Sequence, residues 1–191
     1  MVRRRDALWA LGAVGSAAAL ALAWPVRAQG SGSNVPAELA QQGWSAPRLQ
    51  GQGRLRFLGL HVYDARLWVA EQAVSESDWA QRPLALELVY ARRLVGRLIA
   101  ERSLKEMQGL QAIESTAAQR WLADMTRLFP DVNESDRLTG IHRPGEGARF
   151  FLNGQLRGEI QDAEFSRLFF GIWLSPKTSE PALRERLLGR G

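Results

Sequence analysis

Residues 51–69 read GQGRLRFLGLHVYDARLWV, and apolar and polar side chains alternate through them on either side of Gly59. A period of two is the mark of strands with one face packed and one face open. It predicts strands at Leu49–Phe57 and Leu60–Ala70, with Gly59 permitting the bend between them. In the second strand His61, Tyr63, Ala65, Leu67 and Val69 share one face. Leu60, Val62, Asp64, Arg66 and Trp68 share the other. Both faces are mixed, which suits a sheet covered by helices on one side and by a smaller layer or a ligand on the other. Gly51-Gln52-Gly53 lacks the third glycine and the following helix of a phosphate loop, and is better explained by a bulge or a close backbone approach.

Arg54 and Arg56 are two residues apart and therefore on one side of their strand. If that side meets a cleft, arginine's planar donor fork fits a carboxylate in a bidentate manner. Tyr63 offers an apolar ring and a hydroxyl that wants a partner when buried. The plainer alternatives are solvent-exposed arginines and a core tyrosine bonded to a backbone carbonyl.

Outward from this segment, Leu84–Tyr90 alternates again, with Leu84, Leu86, Leu88 and Tyr90 on one side. From Leu94 the period becomes helical, through Leu98, Ile99, Arg102 and Lys105. A longer helix is expected over Ile113–Phe129, ended by Pro130, with Ala117, Trp121, Leu122, Met125 and Phe129 as its buried stripe. Strands return at Arg137–Arg143, Ala148–Leu152 and Gln155–Ile160, the last two joined by an Asn153-Gly154 turn. Asp162 is placed to cap a helix carrying Phe165, Leu168, Phe169, Ile172 and Trp173. Ser179 is placed to cap Glu180–Leu188, with Pro181 in its first turn and Gly189 as its stop. The result is one α+β domain.

The first 28 residues read as an export signal: Arg3-Arg4-Arg5, an Ala/Leu/Gly-rich run to Trp24, and Val26-Arg27-Ala28 as the cleavage site. Arg4-Arg5-Asp6-Ala7-Leu8 resembles a twin-arginine signal. Cleavage after Ala28 would deliver a chain starting at Gln29 to the periplasm, with no stable membrane insertion after processing. Residues 29–48 are expected to be a flexible lead-in to a domain over 49–189. The leader carries +3 of the chain's net +5, leaving +2, which removes the main support for a nucleic-acid partner. The absence of cysteine excludes disulfides, thiolate metal sites and cysteine nucleophiles. His61 and His142 are the only histidines. Their spacing points to no metal site, no strand–turn–helix nucleophile elbow is present, and no cofactor is expected.

Several motifs carry a family resemblance in order: Gly-x-Gly-Arg leading to Val62-Tyr63-Asp64-Ala65-Arg66-Leu67, then Phe129-Pro130-Asp131-Val132, Asp136-Arg137-Leu138-Thr139-Gly140, Phe169-Phe170-Gly171-Ile172-Trp173-Leu174 and Thr178-Ser179-Glu180-Pro181. Together they resemble the bacterial exported branch of the chalcone isomerase-like family. The resemblance implies an open-faced β-sandwich: a large antiparallel sheet, a smaller strand layer, and helices covering a ligand cleft. Some members of that family close chalcones to flavanones, and others bind fatty acids without catalysis. In the binders an arginine and a tyrosine hold the carboxylate, and Arg54 and Tyr63 match them, with Arg56 as the replacement if the alignment slips. The isomerases have threonine where this chain has Tyr63. Their tyrosine and asparagine fall on Ile99 and Glu106 when Leu94-Val95-Gly96 is aligned with the family's Leu-x-Gly. The resemblance therefore implies a periplasmic binder of a fatty acid or other acidic amphiphile. An intramolecular lyase or isomerase of a chalcone-like enone, using Arg54 and Tyr63, is the alternative. A non-catalytic interaction protein presenting Phe169–Trp173 as an apolar patch is the second.

Overall fold

The computed structural model describes residues 35–190; the leader read in residues 1–28 lies outside them. Six strands form a single sheet: β1 (Arg48–Phe57), β2 (Leu60–Val69), β3 (Leu84–Tyr90), β4 (Arg137–Arg143), β5 (Gly147–Leu152) and β6 (Gln155–Ile160). They lie side by side in chain order, each antiparallel to the next, so the sheet is open, with β1 and β6 at its edges. Between β3 and β4 the chain leaves the sheet to form α2 (Gly96–Leu110) and α3 (Ser115–Leu128). After β6 come α4 (Ala163–Leu174) and α5 (Pro181–Leu187). No helix of the described residues is long and apolar enough to cross a membrane.

The helices cover one face, here called the front. Helix α4 lies across β4 and β5, α5 lies on β1, and α2 packs on α3 and α4. Alternation in the strands supplies the matching surface: Ala65, Leu67 and Val69 of β2, Leu84, Leu86 and Leu88 of β3, and Phe150 of β5 join the helix residues Met107, Trp121, Met125, Phe165 and Phe170 in one core. Gly51 and Gly53 are explained by the docking of α5. A Cβ on Gly51 would come within 2.2 Å of the Arg186 carbonyl, and one on Gly53 within 2.6 Å of Leu183. A bulge between Leu49 and Gly51 accompanies this approach.

The back of the sheet differs from the expected strand layer. Among the described residues it is covered by the segment read as a flexible lead-in, which forms α1 (Ala37–Ala40) and packs Leu39 and Trp44 against Trp68, Ala85, Ile141 and Phe151. The missed signal was a short apolar pair, Leu39 and Trp44, too sparse to read as an element.

Most termini fall where expected. The Asp162 carboxylate accepts from Phe165 N–H at 3.0 Å, and Asn153 and Gly154 both take positive φ in their turn. Ser179 does not cap α5; its hydroxyl donates to Glu106 at 2.8 Å. Helix α2 takes its N-terminal bond from a distant group, the Asp131 carboxylate, which accepts from Gly96 N–H at 2.9 Å. That bond sets the end of α2 that borders the site.

Candidate functional site

Between the front of the sheet and helices α2 and α4 lies a cavity of about 350 Å³, at the small end of the range that holds small ligands. Leu55, Leu88 and Leu138 form its strand wall, and Ile99, Phe129 and Phe169 face them. Strand register builds the polar part. Leu55 pairs with Tyr63 across β1–β2, and Tyr63 with Tyr90 across β2–β3, so two phenols stand side by side on the cavity face. Their rings meet edge to face, 6.0 Å between centroids.

Trp173 Nε1 donates to the Tyr63 hydroxyl oxygen at 2.9 Å. An indole N–H only donates, so Tyr63 accepts here and keeps its own proton for another group. Burial raises the Tyr63 phenol far above its ordinary value; the Trp173 bond opposes the rise, Glu180 and Glu106 add to it, and Arg102 opposes it. Tyr63 is therefore a neutral donor at any physiological pH. The Tyr90 phenol is raised by burial and then by Tyr63, and it takes no hydrogen bond from the described residues. Its side chain is only 3% exposed yet lines the cavity.

Beyond Tyr63 the wall holds Arg102, Ser103, Glu106, Ser179 and Glu180. Arg102 pairs with Glu106 at 2.6 Å, the carboxylate that also accepts from Ser179. Ser103 turns its hydroxyl to the Ile99 carbonyl at 2.8 Å. The Arg102 guanidinium also lies 5.8 Å from the centroid of the Phe57 ring, linking α2 to the β1–β2 hairpin.

Of the expected site residues, Tyr63 lines the cavity, whereas Arg54 and Arg56 do not. Alternation decides this: Leu55 and Phe57 take the cavity side, and Arg54 and Arg56, which alternate with them, point away. Arg54 is bound on the other face, its Nε and Nη2 donating to the two Asp64 oxygens at 2.7 and 3.3 Å. Burial tends to raise the Asp64 carboxyl, but the Arg54 bond and the neighbouring His61 hold it below its ordinary value. Arg56 donates only to the Gly59 carbonyl, at 3.4 Å. A second bulge, between Leu55 and Arg56, leaves Val62 outside the β1–β2 pairing, and Leu60 and Val62 line the cavity with Tyr63. Strict alternation had put those two residues opposite Tyr63.

Ile99 and Glu106, the residues aligned with the isomerase tyrosine and asparagine, both sit on the cavity wall. Ile99 offers no side-chain hydrogen bond, and Glu106 is already engaged by Arg102 and Ser179. The Phe169–Trp173 run is not an exposed patch: Phe169, Phe170 and Trp173 are buried in the core. His142 is buried too, bridging Ser166 Oγ at 2.7 Å and the Ala80 carbonyl at 3.0 Å. The contributions of Arg102, Ser179 and Tyr90 escaped sequence reading. Tyr90 alone had a usable signal, since it shares the apolar side of its strand with Leu84, Leu86 and Leu88.

An open antiparallel sheet, closed on one face by helices with an apolar cavity between, defines a small-molecule binding domain. The chain belongs to the chalcone isomerase-like family, whose pattern matches residues 28–189. An uncharacterized protein of Haemophilus influenzae is 33% identical over 130 residues, or 68% of this chain, and the chain spans 62% of that relative's length. A fatty-acid binding protein of Arabidopsis thaliana has a similar structure, with a TM-score of 0.62 at 15% identity over 76% of this chain and 88% of that one. At that identity the likeness is one of fold.

Proposed function

We propose that this protein binds a fatty acid or a similar amphipathic molecule, its tail among Leu55, Leu88, Leu138 and Ile99 and its head at the Tyr63 hydroxyl. The observation that carries this reading is the donor arrangement. Trp173 orients the Tyr63 oxygen, and the phenolic proton remains available where the apolar wall meets the polar end of the cavity. Burying a tail of about ten methylenes contributes about 8 kcal/mol before ordering costs, enough for useful affinity with one polar grip. The head is held by hydrogen bonds rather than by a buried counter-ion, because Arg102 is engaged by Glu106, Arg54 by Asp64 on the other face, and Arg92, the other arginine of the wall, is exposed. Export to the periplasm is part of the proposal and rests on residues 1–28; recovery of a chain beginning at Gln29 from the periplasmic fraction tests it.

The binding test is calorimetry on delipidated protein with saturated fatty acids of graded length, followed in parallel by Trp173 fluorescence. Stoichiometric binding that strengthens with chain length supports the reading. Folded protein that binds no chain length defeats it. Methyl esters and alcohols of the best chain length extend the test, and affinities within about tenfold of the acid's are expected from a hydrogen-bonded head.

A further inference from the structure

Seven large apolar side chains stand exposed among the described residues, and five of them gather at the cavity mouth. Phe57, Leu60, Val95 and Leu98 line the cavity while being 53, 54, 41 and 50% exposed. Leu58, at the tip of the β1–β2 hairpin between Phe57 and Leu60, is 87% exposed. The turn itself is formed by Leu58 and Gly59, at φ of 50° and 79°. Two-residue turns of that kind favour Asn or Gly, and a leucine sits there at a cost in backbone energy. Fold stability therefore does not account for Leu58, and neither does the core, which it does not touch.

Arginines stand around these residues. Arg56 on the hairpin and Arg92 on the cavity wall have no carboxylate within ion-pair distance among the described residues. Arg93, Arg97 and Arg102 are each paired once, with Asp131, Glu101 and Glu106. The remaining carboxylate of the cavity wall, Glu180, belongs to the polar end near Tyr63.

We infer that the cavity mouth docks on an anionic lipid bilayer, with Phe57, Leu58 and Leu60 of the hairpin and Val95 and Leu98 of α2 entering the interface and Arg56 and Arg92 meeting lipid phosphates. Exposed apolar side chains flanked along the chain by arginines, two of them without a carboxylate partner among the described residues, match such a surface. The cavity opens on the same face, so an apolar molecule passes between bilayer and cavity without crossing bulk water. The inference takes from the proposed function only that the cavity admits an apolar molecule.

Vesicle flotation of the delipidated protein tests it without any ligand, so its failure leaves the ligand reading standing, and the reverse holds too. The probes are vesicles of phosphatidylcholine alone and of phosphatidylcholine with about a third phosphatidylglycerol. Wild type is expected to float with the anionic vesicles and far less with the neutral ones, and to be released by salt. L58N removes the tip side chain while suiting the turn, so partitioning should fall at least about tenfold while the unfolding midpoint holds or rises. R56Q/R92Q should lower partitioning about fivefold per charge and flatten the salt dependence. Wild type that ignores both vesicles, equal binding to both, or L58N that binds as wild type overturns the inference; in the first case the apolar rim belongs to a protein partner instead.

Discussion

On the back of the sheet two glutamates are fully buried, and all four of their oxygens have partners. Glu38 accepts from Thr139 at 2.7 Å and Arg137 at 3.1 Å; Glu87 accepts from Trp68 at 2.9 Å and Arg137 at 3.4 Å. On the front, Tyr90 is buried and Tyr63 half-buried, yet Tyr63 keeps an unused proton and Tyr90 takes no bond from the described residues. The same strands supply both faces through alternate residues. A buried carboxylate without donors would cost several kcal/mol, and in these two glutamates each oxygen has a donor. A buried hydroxyl costs less to leave open, and open hydroxyls beside an apolar cavity are available to a ligand. The back face closes its polar groups within the fold, and the front face leaves hydroxyl groups open beside a cavity.

The strongest test of that division is R137A. It leaves Glu38 and Glu87 buried without their shared cation, and about 3 kcal/mol of stability should be lost, read from urea unfolding. Ligand affinity of the folded fraction should not change; a parallel loss of affinity would break the distinction between the faces.

Y63F reverses the pattern. Loss of one hydroxyl donor should weaken ligand binding by about 1–2 kcal/mol, or about five- to thirtyfold. The N–H of the buried Trp173 loses its acceptor, so stability should fall as well, by about 1 kcal/mol. Unchanged affinity would remove Tyr63 from the site.

His142 sharpens the comparison, because it is a front-face polar group that is fully bonded. Burial lowers its pKa below the ordinary 6.5, and the bond with the Ala80 carbonyl opposes that only in part. The neutral ring is therefore favoured by folding. Its stabilising effect is complete above the unfolded value and declines as pH falls through about 6.5 toward the folded one, by about 1.4 kcal/mol for each unit of separation. Unfolding free energies measured between about pH 7.5 and 5.5 should slope downward in wild type and run flatter in H142Q. Equal slopes would show that His142 does not couple folding to protons.

The smallest effect is expected from R54A. Its pair with Asp64 is on the outer face and half exposed, so its loss should barely move the unfolding midpoint and change ligand affinity less than about twofold. A large loss of affinity would return Arg54 to the site and require the hairpin to turn over when ligand binds.

Periodicity alone determined most of the elements: the six strands, the two long helices, the Pro130 stop, the Asp162 cap and the Asn153-Gly154 turn. These depend on neighbours a few residues apart, and the chain displays such neighbours directly. The place of Tyr63 on the cavity wall was anticipated through the family resemblance, not from its polar neighbours His61, Asp64 and Arg66. Which face of β1 met the cavity was not legible, because alternation defines two sides without saying which one the helices cover. The docking of α5 on Gly51 and Gly53 settled that, because alternation from those glycines turns Leu55 inward and Arg54 outward. Arg102, Ser179 and Tyr90 reach one site from a helix, a loop and a strand far apart in the chain, and α1 is held by Leu39 in the back-face cluster and by Thr139 and Arg137 meeting Glu38 across 99 residues or more. No local pattern encodes such meetings; they arise when apolar burial brings the layers together and each buried polar group takes whatever partner the packing leaves within reach.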